Sequence, residues 1–349
     1  MLKALRLRVR MMQYQLRLRA VRQLPERLSD LTTAALLGEK VPGSLFDRLD
    51  AMRTSESWEK KIEKYHLLAD FHRFYLTKSI EPMYRARLNK VPIVFLPLRD
   101  VNAAAYKTET DAEPAIALSL GLLSFLMYAN ALWFNLLFGD RTTKRARLEL
   151  FKRQVPGLIK IILQSEGIED RPLPETSEDA GLDLTVKQVG RFFQLRFVIA
   201  HELAHIKLGH LRDTSQSAAM VLSSGTTISV IRKNWTQEFE ADDEAIRLLL
   251  TSFRALTPFG IPELDHRIQL AVYSAPLMFF SYLHMVEKAL SLTDDSSSHP
   301  SSKSRMSRTL NLMKEQAPNE ITKVLEGVAT VSMNIADTAP LWNTAANDE

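Results

Sequence analysis

The chain has 349 residues, of which 46% are hydrophobic and 25% charged, enough for one large globular domain or two ordinary ones. This composition excludes a fibrous, collagen-like or fully disordered protein. The sequence has no cysteine, which excludes disulfides, thiolate-bound zinc and iron–sulfur clusters. Any metal ion must therefore be held by histidine and carboxylate ligands.

The formal net charge of +4 is unevenly distributed, because the N-terminus is basic and has no acidic residue before Glu26. Leucine and methionine alternate with these bases, a pattern typical of a basic amphipathic helix. Such a helix could pack on the protein, bind a membrane surface or nucleic acid, or serve as an organelle presequence, and the sequence leaves these three interpretations open. No uninterrupted apolar segment follows the bases, which excludes a secretory signal.

Residues 1–90 have a helical, charged character. A helix is predicted from apolar residues that recur at helical spacing, namely Trp58, Ile62, Tyr65, Leu68 and Phe71. The segment 91–98 is short, apolar and flanked by prolines, which predicts a strand. A second strand is predicted at 115–119.

The stretch from Ala115 to Gly139 contains no charged residue, so it predicts either a membrane span or a strand followed by a buried helix at 122–138. The polar residues within it, such as Asn130, favour the second interpretation. The apolar run 268–286 is similar, and Pro276 and His284 interrupt it. We therefore expect a cytoplasmic protein, with a membrane-associated one as the alternative.

Residues 141–185 have the character of an insertion. The segment begins with a basic helix and ends in an acidic stretch with prolines at 169–183, which predicts a surface loop. Apolar helical spacing resumes at Val186.

Residues 192–208 predict a helix that ends at Gly209. His201 and His205 lie one turn apart on the same face of this helix, so both imidazoles can reach one ion. Glu202 follows the first histidine. A zinc ion at this site would lower the pKa of water, and Glu202 would accept the proton. The His-Glu-x-x-His pattern is therefore a candidate zinc hydrolase site.

A third ligand is needed to complete such a site. The metzincin pattern requires glycine and histidine at positions that are occupied here by Leu208 and Leu211, which excludes that class. Further along the chain, Glu238 and Asp242 lie one helical turn apart. Glu238 can complete a site with two histidines and one glutamate, and Asp242 can hold the tautomer of a ligand imidazole.

These residues resemble a known group of proteins. The segment 201–205, followed by the Glu-x-x-Ala-Asp helix that begins at Glu238, is similar to the gluzincin peptidases, especially the family of the CAAX prenyl protease and the HtpX heat-shock protease. Two further segments resemble this family. Asn102 and the alanines after it, with the strand 115–119, are similar to its Asn-Ala segment and edge strand, and residues 299–305 resemble its His-Pro…Arg motif.

The resemblance implies an α+β, mainly helical fold, with a zincin-like peptidase domain that has a small sheet and an active-site helix. It implies that the edge strand pairs with an extended substrate. It also implies that Asn102 and His299 approach the cleft as catalytic residues that stabilise an oxyanion. Arg305 would hold the C-terminal segment in place.

The predicted organisation is a basic helical region at 1–90, a zinc peptidase domain at 91–315 and a C-terminal tail at 316–349. The remaining histidines are not predicted as ligands. Of these, His210 is interpreted as a surface residue or a helix cap, and the others are His66, His72, His266 and His284.

The predicted function is that of an endopeptidase that binds one zinc ion and acts on a protein or peptide, with His201, His205 and Glu238 as metal ligands. One alternative is a membrane-associated quality-control peptidase. Another is a non-catalytic metal-binding interaction protein, but Glu202 would have no role in it. The sequence leaves the oligomeric state open.

Overall fold

The structure is a computed structural model that describes residues 58–78, 80–96, 102–107, 113–138, 181–211, 217–221, 227–231, 234–254, 262–289 and 300–338. The basic N-terminal segment, most of the predicted insertion, His299 and the last residues of the predicted tail lie outside these ranges.

The described part of the chain is mainly helical with a small sheet, which confirms the α+β prediction. Its helices are α1 (Trp58–Lys78), α2 (Pro82–Leu88), α3 (Leu120–Phe138), α4 (Gly181–Leu208), α5 (Trp235–Arg254), α6 (Pro262–Ala289), α7 (Ser302–Gln316) and α8 (Asn319–Thr338). Its strands are β1 (Ile93–Leu96), β2 (Ala103–Lys107), β3 (Pro114–Ser119), β4 (Ser217–Val221) and β5 (Thr227–Ile231).

The three-stranded sheet has the order β1-β3-β2. Strand β3 pairs in parallel with β1 and antiparallel with β2. The prediction of a strand at 115–119 is confirmed, but its interpretation as the edge strand is wrong, because β3 is central and β2 lies at an edge. Strands β4 and β5 form a separate antiparallel hairpin, and β5 lies close to β2.

Helix α4 is the centre of the fold. It packs against α1, α3, α5 and α6 and contacts β2 and β3. Many apolar residues in its C-terminal half, among them Phe192, Ile199 and Leu203, are fully buried, as expected of a helix covered by neighbours on several sides. The packing of the neighbouring helices and strands therefore fixes the orientation of this helix and of the side chains on its last turns.

A buried polar triangle joins three of these helices. Asn130 on α3 donates to Gln194 on α4, Gln194 donates to Tyr282 on α6 (3.4 Å), and the Tyr282 hydroxyl donates back to Asn130 (3.3 Å). All three residues are buried. A closed network of this kind satisfies its own polar atoms and favours one mutual arrangement of the helices.

The C-terminal helices also belong to the core. Helix α8, in the segment predicted as a tail, packs against α6 and buries Ile321, Leu325 and Val328. Helix α7 contacts α5 and α6. The predicted tail therefore contains a packed helix, and α7 lies where its side chains can reach α5.

Glu287 on α6 fixes the start of α7. Its carboxylate accepts hydrogen bonds from the Ser302 backbone N–H (3.1 Å) and from the Ser302 hydroxyl (2.6 Å). Burial alone would raise the pKa of Glu287, but contacts with His284 and Ser302 hold that pKa below its ordinary value of 4.5. The carboxylate is therefore favoured in its charged form.

Replacing Glu287 by glutamine should lower the free energy of unfolding by about 1 kcal/mol at neutral pH, because charge-assisted bonds to the first N–H of a helix are lost. A carboxyl group with a depressed pKa contributes stability above its unfolded pKa and loses that contribution as the pH falls through its folded pKa. Urea unfolding near pH 7 and near pH 4 should therefore show the difference shrinking at the lower pH. The exposed Glu315→Gln is the control, and a difference that grows in acid would contradict this assignment.

None of the helices that the structure describes is long and apolar enough to span a membrane.

Candidate metal centre

Helix α4 carries His201, Glu202 and His205 on its last turns. The helix ends at Gly209, whose φ of 80° is favourable for glycine alone among ordinary residues. The Gly209 N–H donates to Ile206 O (3.3 Å) and the His210 N–H donates to His205 O (3.0 Å). This pair of bonds is a Schellman motif, which turns the chain back over the final turn of the helix.

Helix α5 supplies the carboxylates. Its start is fixed by a reciprocal capping box, in which Asn234 Oδ1 accepts from the Gln237 N–H (2.9 Å) and Gln237 Oε1 accepts from the Asn234 N–H (3.1 Å). Glu238 lies in the first turn and Asp242 one turn later. Both are almost completely buried, so α5 directs this face at α4.

His201, His205 and Glu238 converge on one point. The two Nε2 atoms are 3.1 Å apart. Glu238 Oε2 lies 3.4 Å from His201 Nε2, and Glu238 Oε1 lies 3.4 Å from His205 Nε2. All three side chains are buried. Within the described residues they form the one group of histidine and carboxylate side chains placed to bind a metal ion. The structure therefore brings together the three residues predicted as ligands, close enough to bind a single ion.

Asp242 contacts the other side of the first histidine. Its Oδ1 lies 2.9 Å from His201 Nδ1. Burial would raise the pKa of Asp242, but the charge and hydrogen bonds of Arg305 and contact with His201 hold it below its usual range. For His201, burial lowers the pKa, yet Asp242 and Glu238 outweigh burial and raise it to about 9. The two carboxylates thus favour positive charge on this imidazole.

Arg305 on α7 holds these carboxylates in place. Its guanidinium binds Asp242 through both oxygens (2.8 and 2.7 Å), lies 3.3 Å from Glu238, and stacks 4.6 Å from the centre of the Phe280 ring. The neighbouring charges raise its pKa, so it stays charged. The resemblance implied only that Arg305 holds the C-terminal segment, whereas the structure also places it against Glu238 of the candidate ligand cluster.

Glu202 points at the sheet. Its Oε2 accepts a hydrogen bond of 2.6 Å from the Ala105 N–H on β2, and its side chain is buried. The backbone of Asn102 pairs with Ser119. Alternation along the strand then directs the N–H groups of Ala103 and Ala105 away from β3. One oxygen of Glu202 is anchored on the outer edge of β2.

His210 was interpreted as a surface residue or a helix cap. The first alternative is wrong, whereas the His210 N–H does cap the helix by donating to His205 O. His210 is buried, with 7% of its surface exposed, and its Nδ1 lies 2.9 Å from His205 Nδ1. On its other side, Nε2 lies 3.1 Å from Glu240 Oε2. The missed signal is Gly209, because a Schellman motif brings the residue after the glycine back to the residue five positions earlier.

The resemblance implied Asn102 and His299 as oxyanion donors. Asn102 is exposed, and within the described structure its side chain makes no hydrogen bond to the metal centre. His299 lies outside the described residues, next to the buried Pro300. Their catalytic roles stay predictions.

The other histidines serve the fold. His66 Nδ1 lies 2.9 Å from the carbonyl of Ile93, and His72 accepts a hydrogen bond of 3.2 Å from Arg196. Burial and the charge of Arg196 lower the pKa of His72. His284 is buried on α6 near Glu287, and His266 is exposed. None of these four belongs to the described ligand cluster.

The comparisons with known proteins agree with this chemistry at the level of a peptidase. The model of the family described as Peptidase U49 matches residues 164–325, a segment that includes both site helices and Arg305. The search of curated proteins and the search of solved structures found no match. The finer resemblance to the CAAX prenyl protease and HtpX family receives no support from these comparisons and stays a prediction. The match covers less than half of the chain, and over that segment the chain is similar to a peptidase family, whose substrates are proteins or peptides.

Proposed function

We propose that this protein is a zinc-dependent endopeptidase that hydrolyses a protein or peptide substrate, with Glu202 as general base. The spacing of the ligand atoms carries the proposal. A tetrahedral zinc ion with bonds of about 2.0–2.1 Å separates its ligand atoms by about 3.3–3.4 Å. The two Nε2 atoms lie 3.1 Å apart, and each lies 3.4 Å from one oxygen of Glu238, His201 from Oε2 and His205 from Oε1. One ligand atom from each residue therefore lies within 4.8 Å of the others, close enough to share an ion.

The chemistry of the donors also supports zinc. Two imidazoles and one carboxylate form a ligand set found in catalytic zinc sites, where a fourth position is left for water or substrate. When bound at such a site, zinc acidifies water and polarises a carbonyl group. Asp242 on His201 supplies the carboxylate–histidine contact that fixes the orientation of a ligand ring.

Glu202 is suited to move a proton. It directly follows His201 on α4, and the Ala105 N–H holds one of its oxygens. A carboxylate fixed in this way can accept a proton from water and later deliver it to the leaving amine.

The outer edge of β2 is the proposed place for the substrate. An extended peptide can add to a strand edge through main-chain hydrogen bonds. On this edge the Ala105 N–H is already bound to Glu202, so pairing would use the Ala103 N–H and the outward carbonyl groups. Strand β2 replaces β3 in this role, because β3 is paired on both sides. A peptide bond that lies along β2 would pass Glu202 at Ala105.

Metal binding tests the proposal directly. Purified wild-type protein should bind one zinc ion per chain, as measured by elemental analysis after removal of loosely bound metal. Glu238→Ala should weaken zinc binding by more than about 100-fold and abolish cleavage of unfolded casein, since a ligand loss exceeds the effect of losing a supporting contact.

The matched control is Glu320→Ala. Glu320 also lies in the first turn of a helix and is exposed, so its removal should leave zinc binding and cleavage unchanged. Full zinc occupancy in folded Glu238→Ala would overturn the assignment of the third ligand. Absence of zinc binding in the wild type would overturn the proposed function.

A further inference from the structure

We propose that His210 is a positioning residue for His205, and that Glu240 sets the tautomer of His210. This inference rests on the proposed metal site. It assigns a supporting partner to the second ligand histidine, as Asp242 supports the first. The chain of contacts runs from the ligand cluster through His205 and His210 to Glu240.

The positions of the protons on this chain follow from its chemistry. Glu240 accepts hydrogen bonds when ionised, so it favours a proton on His210 Nε2. A neutral His210 then has a bare Nδ1, which can only accept. The group facing it, His205 Nδ1, must be the donor. His205 Nε2 is therefore left unprotonated, with its lone pair directed at the ligand cluster, as metal binding requires.

The local fold explains why these rings meet. Gly209 reverses the chain, and the His210 N–H binds the carbonyl of His205 itself (3.0 Å). The ring centres lie 5.0 Å apart at an interplanar angle of 64°. His205 is fully buried, whereas the Glu240 side chain is 54% exposed. The chain of contacts therefore runs from the buried site to the surface.

The two ligand histidines are supported differently. His201 contacts a buried carboxylate held by Arg305, whereas His205 contacts an imidazole whose own carboxylate partner is at the surface. Loss of His210 would leave the His205 Nδ1–H buried without its acceptor, and a buried donor without a partner is costly. The proposed role of His210 thus depends on its hydrogen-bond acceptor atom and not only on the packing of its ring.

Two substitutions separate the acceptor from the ring. His210→Phe keeps a planar ring and removes the acceptor. His210→Asn removes the ring and keeps an amide oxygen at the distance of Nδ1 from the backbone. Zinc affinity, measured against a competing chelator, should fall by about 10–100-fold in His210→Phe, as is usual for the loss of a contact that supports a metal ligand. His210→Asn should recover most of this loss.

His266→Phe is the matched control, because His266 is exposed on α6, and it should bind zinc as the wild type does. Wild-type affinity in folded His210→Phe would overturn the inference. An equal loss in His210→Phe and His210→Asn would also overturn it, since it would show that ring packing alone matters.

A spectroscopic measurement tests the chain of contacts even if the proposed function fails. In protein with 15N-labelled histidine, spectra of the metal-free and zinc-loaded forms should show a proton on His205 Nδ1 that is coupled across the hydrogen bond to His210 Nδ1. His210→Phe should lose this signal. Absence of zinc binding with the coupling present would refute the metal site alone, whereas a proton on His205 Nε2 in the metal-free wild type would refute the inference.

Discussion

Glu202→Gln should retain zinc and lose peptide-bond hydrolysis by about 10²–10⁴-fold, the usual contribution of a general base. Glutamine has nearly the same shape, and its amide oxygen can still accept from the Ala105 N–H. The amide cannot take up a proton from water. Fold and metal binding should thus persist while proton transfer is lost.

The measurement is cleavage of unfolded casein by zinc-loaded protein, with zinc content and thermal unfolding recorded on the same samples. Glu320→Gln, an exposed glutamate outside the site, is the control. Undiminished cleavage in Glu202→Gln would refute the proposed mechanism. If the wild type binds zinc but cleaves casein no faster than Glu202→Gln does, the non-catalytic metal-binding alternative would be favoured.

Arg305→Met should destabilise the metal-free protein by about 3–5 kcal/mol, the typical cost of leaving a buried charge without its partner. The guanidinium bridges Asp242 and Glu238, and both carboxylates are buried. Methionine preserves much of the packing on Phe280 and supplies no charge. Zinc should restore part of the stability, because its charge offsets that of the carboxylates.

Arg308→Met is a matched control for this experiment. Arg308 lies one turn along α7 and binds Asp243 through both oxygens (3.0 and 2.6 Å), but its side chain is 50% exposed. An exposed ion pair contributes less than about 1 kcal/mol. Urea unfolding of both variants should show a much larger loss for Arg305→Met, and equal losses would contradict the role of Arg305 in neutralising the site.

The parts of the site that were predictable are those set by local helical geometry. His201 with His205, and Glu238 with Asp242, are pairs spaced by four residues, so one helical turn aligns each pair without knowledge of the rest of the fold. Helix α4 was predicted over its last turns and strand β1 near its observed bounds for the same reason: periodicity is a local property.

The parts that were not predictable depend on long-range contacts. Glu202 meets Ala105 across 97 residues of chain, and Arg305 meets Asp242 across 63. The parallel pairing of β1 with β3 makes β3 central, and no local pattern shows this. His210 is a different case. Gly209 was recognised as a helix stop, but the contact between His210 and His205 that follows from this chain reversal was not predicted.

The bond between Ala105 and Glu202 has a consequence for specificity. If a peptide adds to β2, the strand that aligns the peptide is also the strand that holds the base. The scissile bond would then be selected by its distance along the backbone from the first paired residue. Main-chain pairing is tolerant of side chains. We expect such an enzyme to choose its target chiefly by the availability of an extended, unfolded stretch, and only secondarily by the amino acids at the cut.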